Sequence, residues 1–205
     1  MTGLLQQFGE IDIYLFDQLL RGRIAPGMRI IDAGCGGGRN LLYLLRHGYD
    51  VAGCDRDHMA VEAVRAMASR LAPQLPGGNF RVEPIEAMSF PDACADVVLA
   101  SAVLHFASDD EQFDAMIREL WRVLKPGGML FARLASSIGI ESRVLHVRGR
   151  HHRLPDGSER YLVDERVLVD LTARLGAEFL DPIKTTIVQD QRAMTTWVVR
   201  KIADC

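Results

Sequence analysis

The sequence predicts an α/β fold built on a doubly wound, mostly parallel sheet, and three observations predict it. Short apolar runs alternate with stretches of helical periodicity along most of the chain. Gly- and Pro-containing turns separate those segments at regular intervals. A glycine-rich turn, IIDAGCGGGRN at 30–40, directly follows the first buried apolar run. Sheets of this class bind ligands at the carboxyl ends of their strands, where that turn falls.

Each element has a local reason. Leu4, Leu5, Phe8, Ile11, Tyr14, Leu15 and Leu19 recur near three-to-four spacing, so one helix is expected over 4–20, broken by Arg21-Gly22 and Pro26-Gly27. Residues 28–33 read as a buried strand, 39–47 as a helix stopped at Gly48, and 49–54 as a second strand. Asp57 suits the cap of a helix that runs to 72 and ends at Pro73. A short, polar third strand is expected at 80–84, and ADVVLA at 95–100 reads as a strand buried on both faces. Ser108 and Glu111 match a capping box. The helix they open carries Phe113, Met116, Ile117, Leu120, Trp121 and Leu124 as one apolar stripe suited to the core. Pro126-Gly127-Gly128 turns the chain into a fifth strand at 129–134. Residues 136–161 are polar and Arg/His-rich, with a turn at Pro155-Asp156-Gly157. A last helix at 164–175 and strands at 179–188 and 195–201 bring the sheet to seven strands.

Composition narrows the class. A chain of 205 residues can bury a substantial core, and with no repeat, low-complexity tract or linker one domain over 1–205 is expected. The formal net charge of −3 argues against wholesale attraction to nucleic acid or membranes. No apolar run approaches the roughly 20 residues that span a bilayer, and the first residues lack the basic start of a signal peptide. Cys35, Cys54, Cys94 and Cys205 are scattered without a C-x-x-C pair. That pattern fits reduced thiols in the cytoplasm better than a disulfide framework or a zinc site, so no metal is expected.

The glycine turn indicates the ligand. Asp32-x-Gly34-x-Gly36-x-Gly38 lets backbone N–H groups approach a ligand where a Cβ would collide. The dinucleotide fingerprint G-x-G-x-x-G fails in both registers: Gly34 requires a small residue at Arg39, and Gly36 requires one at Leu41. Asp32 beside the loop repels a pyrophosphate and suits a cation. A ligand with an amino-acid end and a sulfonium centre fits better.

In order along the chain, DAGCGGGRN, VAGCD, IEAM, VVLASAVLHF and LKPGGML resemble the successive motifs of class I S-adenosylmethionine-dependent methyltransferases, over roughly 27–134. The GRN of the loop and the late MTTWVVRK are similar in particular to small bacterial members, including the tellurite-resistance type. The resemblance implies a Rossmann-like sheet of order 3-2-1-4-5-7-6 with the last strand antiparallel, an N-terminal helix over 1–25, and a substrate-side insertion over 136–162.

It also implies a layout of residues around S-adenosylmethionine. Gly34, Cys35 and Gly36 pass beneath its methionine part, with Asp32 near its ammonium. Asp55 ends the second strand and bonds both ribose hydroxyls, an acid offering two acceptor oxygens to two vicinal donors. Arg56 lies along the adenine, Glu86 accepts from its amino group in place of the family's commoner aspartate, and Ala87 and Met88 line the ring. Ser101 offers its backbone carbonyl to the cofactor's ammonium, and Arg39 pairs with its carboxylate.

Methyl transfer needs alignment and exclusion of water more than acid–base chemistry. His105 is the residue placed to act as a base if the acceptor arrives protonated, a pocket-wall histidine being the alternative. The Asn- or Asp-Pro-Pro-Tyr sequence of methyltransferases acting on exocyclic amines is absent after the fourth strand, which demotes nucleic acid as a partner. The expected acceptor is a small molecule offering oxygen, nitrogen or sulfur, or a metalloid oxyanion. The basic segment RVLHVRGRHHR at 143–153 suits an acidic small molecule, RNA phosphates or simple solvation. A nicotinamide oxidoreductase and a non-catalytic sensor of S-adenosylmethionine are the competing classes.

Overall fold

The computed structural model describes residues 3–203, so Cys205 lies outside the described residues. Five strands run parallel in the centre: β1 (Arg29–Ala33), β2 (Asp50–Asp55), β3 (Phe80–Val82), β4 (Ala95–Ser101) and β5 (Leu124–Ser136). The order β3-β2-β1-β4-β5 reverses between β1 and β4, which opens the ligand crevice at their carboxyl ends. β11 (Arg192–Lys201) lies antiparallel to β5. Beyond it lie β9 (Ala177–Phe179) and β10 (Lys184–Val188), each paired with a different stretch of β11. The predicted single strand at 179–188 is therefore divided, and its two halves fill the outermost place in the expected order. Pro182 has no N–H for the ladder, and the buried Asp181 turns instead to Gln18, Arg21 and Arg23.

Alternate residues of the strands feed two cores. Ile31, Ala52, Val98 and Leu130 face one side, and Ile30, Val51, Val97 and Phe131 face the other. Helices α2 (Ile13–Leu20), α3 (Leu41–Arg46) and α4 (His58–Leu71) cover the second face; α5 (Asp110–Val123) and α6 (Glu165–Arg174) cover the first. In α5 the predicted stripe holds: Phe113, Met116, Ile117 and Leu120 are buried, each worth about 1.5–3 kcal/mol of transfer from water. Among the described residues no helix is long and apolar enough to cross a membrane.

Three local expectations are corrected. The helix expected over 4–20 is two, α1 (Leu4–Phe8) and α2, because Gly9 takes φ 64° and Asp12 starts the second by accepting from Tyr14 N–H at 2.9 Å. The cap of α5 is Asp109, accepting from Gln112 N–H at 2.8 Å, one residue after the predicted Ser108. The segment read as polar loop contains a small antiparallel sheet: β6 (Leu145–Arg148), β7 (His151–Arg153) and β8 (Glu159–Tyr161). Asp57 caps α4 as expected, accepting from Met59 N–H at 2.9 Å.

Candidate functional site

The turn after β1 borders a cavity of about 760 Å³, within the usual range for small-molecule sites. Its floor is backbone. Gly34, Gly36 and Gly38 all have positive φ, between 49° and 79°, a region that only glycine enters cheaply. The reasons for glycine differ by position. A Cβ on Gly34 would lie 2.5 Å from the Val103 side chain, whereas one on Gly36 would meet nothing within 4 Å and would project into open space. At Gly36 the missing side chain leaves room for a ligand. The opposite wall follows β4, where Ala102 adopts φ 62°. That left-handed turn costs an alanine about 1–2 kcal/mol and brings Ala102, Val103 and Phe106 to the cavity.

Charged groups are placed around this floor. Asp55, at the end of β2, accepts from Gly36 N–H and from Asp57 N–H, each at 2.9 Å. Both carboxylate oxygens are thereby fixed, and each keeps a lone pair for a further donor. Glu86 lies on the adjacent loop, where Gln112 Nε2 donates to its Oε1 at 2.6 Å. Arg56 lines the cavity and is exposed. Arg39 also lines it, with its guanidinium turned to Ser101 Oγ at 3.2 Å and Asp12 at 3.6 Å.

Asp32 lies behind the floor rather than on it, at 2 % exposure, with Oδ2 buried and lacking a hydrogen-bond partner. Burial pushes its carboxyl up to about 7, opposed by Arg39 and reinforced by Asp55. A buried acid with a vacant acceptor is poised for a cation or an ordered water.

Of the sequence candidates, Gly34, Cys35, Gly36, Arg39, Asp55, Arg56, Glu86 and Ser101 line the cavity. Ala87 and Met88 do not: the Ala87 N–H is held by the Pro84 carbonyl at 3.2 Å, and Met88 packs into the core. Pro84 and Ile85 form that part of the wall instead. His105 is also off the cavity. Its Nδ1 accepts the Ala135 N–H at 3.2 Å, and burial, with Arg160 next, pushes the imidazole down to about 4. The neutral ring has one basic lone pair and spends it on the backbone, so in this geometry His105 ties its turn to β5 and has none left to take a proton.

The sequence leaves open whether the N-terminal helix, with Phe8 and Tyr14, lids the cofactor or packs on the sheet, and it is the loop after Phe8 that supplies a wall. Gly9 and Glu10 line the cavity, held there by Asp12, whose carboxylate receives Arg133 at 3.0 Å and Ser101 Oγ at 3.4 Å. Asn40 Oδ1 accepts the Asp12 N–H at 3.0 Å. Only the cap signal of Asp12 could have indicated it.

The sheet agrees with comparisons to known proteins. Residues 31–132, about half of the chain, match the model of the methyltransferase domain family. The chain belongs to this family. A ubiquinone biosynthesis O-methyltransferase of Methylocella silvestris is 36% identical over 118 residues, 56% of this chain and 44% of that protein. A malonyl-[acyl-carrier protein] O-methyltransferase of Herminiimonas arsenicoxydans is 34% identical over 161 residues, 73% of this chain and 56% of its own length. The methyltransferase chain thus spans about half the length of these curated relatives. In fold it is similar to a Methanosarcina mazei SAM-dependent methyltransferase, with TM-score 0.71 and 24% identity over 91% of this chain and 98% of that one. It is also similar to Burkholderia thailandensis 1,6-didemethyltoxoflavin-N1-methyltransferase, solved with S-adenosylhomocysteine: TM-score 0.72, 18% identity, 95% of this chain and 80% of that one.

The family's cofactor is S-adenosylmethionine, and the residues present fit it. Gly36 leaves open space over the loop, Asp55 keeps free lone pairs for a diol, and Asp32 has a vacant acceptor for a cation.

Proposed function

We propose that this chain binds S-adenosylmethionine in the β1/β4 crevice and catalyses methyl transfer to a small-molecule acceptor. The observation that carries this reading is the fixed Asp55 carboxylate beside the open backbone of Gly36. When bound, the cofactor would supply an electrophilic methyl carbon on a sulfonium: an acceptor lone pair would bond to that carbon as the carbon–sulfur bond breaks, with S-adenosylhomocysteine as the leaving thioether. The protein's part is positioning and exclusion of water. Asp55 receives the ribose hydroxyls, and its bonds to Gly36 and Asp57 hold its orientation. Glu86, steadied by Gln112, receives the adenine amino group, and Ile85 and Arg56 flank the ring. Asp32 and the Ser101 carbonyl face the ammonium, and Arg39 reaches the carboxylate. Gly9 and Glu10 shut the cavity from the N-terminal side. No side chain of the wall is assigned as a base; His105 braces the wall.

The acceptor element is assigned to 136–162, which together with 1–25 completes a single methyltransferase domain. Relatives named for O-methylation support oxygen as the atom methylated. The scattered thiols and the acidic balance support a cytoplasmic bacterial protein acting on small molecules rather than nucleic acid.

A screen of small phenols, carboxylic acids, amines and thiols, read by release of S-adenosylhomocysteine, tests the proposal. Acceptor-dependent release that Asp55→Ala removes is expected. Tight cofactor binding without release for any acceptor class would make the protein a sensor instead.

A further inference from the structure

The small sheet β6–β8 sorts its side chains onto two faces, because cross-strand partners share a face and successive residues alternate. One face is buried only at its β7–β8 end, Leu145, Arg153 and Glu159 of that face being exposed. Tyr161 stacks on Phe113 of α5 with ring centroids 4.7 Å apart and donates to Asp110 at 2.8 Å, and His151 lies edge-on to it. The other face carries His146, His152 and Arg160, paired in register across the three strands. The His146 and His152 rings are 5.4 Å apart. At the end of this row the Arg160 guanidinium stands over the Phe106 ring, 5.0 Å from its centroid. Phe106 is 50% exposed and lines the cavity. The row therefore leads from the hairpin to the cavity mouth.

Arg160 forms no direct ion pair among the described residues, Asp156 feeling its charge only at longer range; it donates to the Glu159 carbonyl at 2.7 Å. Arg150, in the β6–β7 turn, is paired with Asp164, and Arg143, just before β6, with Asp190; Arg148 and Arg153 show no ion pair among the described residues but stand off the His146–His152–Arg160 row or at its exposed edge. An unpaired guanidinium fixed over an exposed ring, next to a cavity, presents a cationic fork and an apolar face together. We propose that the methyl acceptor is a small anion with a flat apolar body, whose carboxylate or phosphate group lies on Arg160 and His152 while its body packs against Phe106. This deepens, and rests on, the reading of the cavity as a methyl-transfer site.

Benzoate, benzamide and phenyl phosphate, which share a ring and differ in charge, are titrated into the full chain saturated with S-adenosylhomocysteine. The readouts are the NMR signals of the His152 imidazole and the Phe106 ring. Both signals are expected to shift saturably with the anions, and the tighter of benzoate and phenyl phosphate identifies the anionic group. Benzamide should bind about tenfold more weakly or worse, and Arg160→Gln should weaken anion binding by about tenfold. Arg160→Lys keeps the charge but loses the fork and should recover only part of the binding, and His152→Gln should lose part. Unchanged affinity for S-adenosylhomocysteine in these variants shows that they are folded. Absent shifts with both anions, equal binding of benzamide, or undiminished anion binding by Arg160→Gln would overturn the proposal. Failure of S-adenosylhomocysteine to bind the wild type would overturn the cofactor reading instead, and the same titrations without it would still decide the anion site.

Discussion

Asp32 ends in a buried oxygen without a hydrogen bond, and its carboxyl titrates near 7 rather than 3.8. The folded state holds a proton that the unfolded chain has already released. This contribution to stability is complete below 3.8 and is lost as pH rises to about 7, at about 1.4 kcal/mol per pH unit. Asp32→Asn should flatten that part of a thermal-stability profile. A cationic ligand group should also draw the proton off, so calorimetry at pH 6 in buffers of different ionisation enthalpy should show proton release on binding S-adenosylhomocysteine, and none from this group at pH 8.5. Equal release at both values would remove Asp32 from the site. His105 leads to a different expectation. His105→Asn offers an amide oxygen to the Ala135 N–H, so its rate and pH profile should match the wild type. His105→Ala should cost about 1–3 kcal/mol in stability by stranding that N–H, again without a change in pH profile. A stable variant with its rate abolished would restore His105 as the base. Asp55 and the glycines were legible in the sequence because their roles follow from backbone position at a strand end. Met88 turns into the core, and His105 takes the non-catalytic alternative because its partner, the Ala135 N–H, is one that no spacing encodes.

Asp12 ties the loop between the first two helices to the sheet, beside the Gln18–Asp181 bond of α2 and the Phe8–Tyr43 stack of α1. The Asp12 side chain is 1% exposed and is approached by Arg133, Arg39 and Ser101. Removing one partner of a buried ion pair typically costs about 3–5 kcal/mol, less the share of Arg39, which is half in solvent. Asp12→Ala should therefore speed hydrogen exchange throughout 4–20 and weaken cofactor binding, leaving exchange in β1, β4 and β5 unchanged. Loss of protection across the whole sheet would mean that Asp12 supports the core and not the lid alone. Periodicity made α4 and α5 plain, since their stripes are long and their caps are aspartates. It joined α1 to α2 because Ile11 happens to continue the spacing across the Gly9 break. It missed β6–β8 because these strands are only three or four residues long and rich in arginine and histidine.

Over the whole molecule, the alternation of strands and helices made the doubly wound sheet legible, whereas the strand order followed from the family resemblance. The switch between β1 and β4 then fixes where a ligand sits, and the cavity of about 760 Å³ opens there. The closing wall, by contrast, is assembled from segments far apart in sequence: Glu10 from the start of the chain, and Phe106 with Arg160 above it. The central claim is that this crevice accepts an adenosyl amino acid and no dinucleotide. Titration calorimetry of S-adenosylhomocysteine and of NADH into the wild type and Asp55→Ala tests it most directly. Saturable one-to-one binding of S-adenosylhomocysteine, weakened by about 1–3 kcal/mol in Asp55→Ala, with no heat from NADH, is the predicted result. Binding of NADH in its place, or S-adenosylhomocysteine affinity indifferent to Asp55, would contradict it.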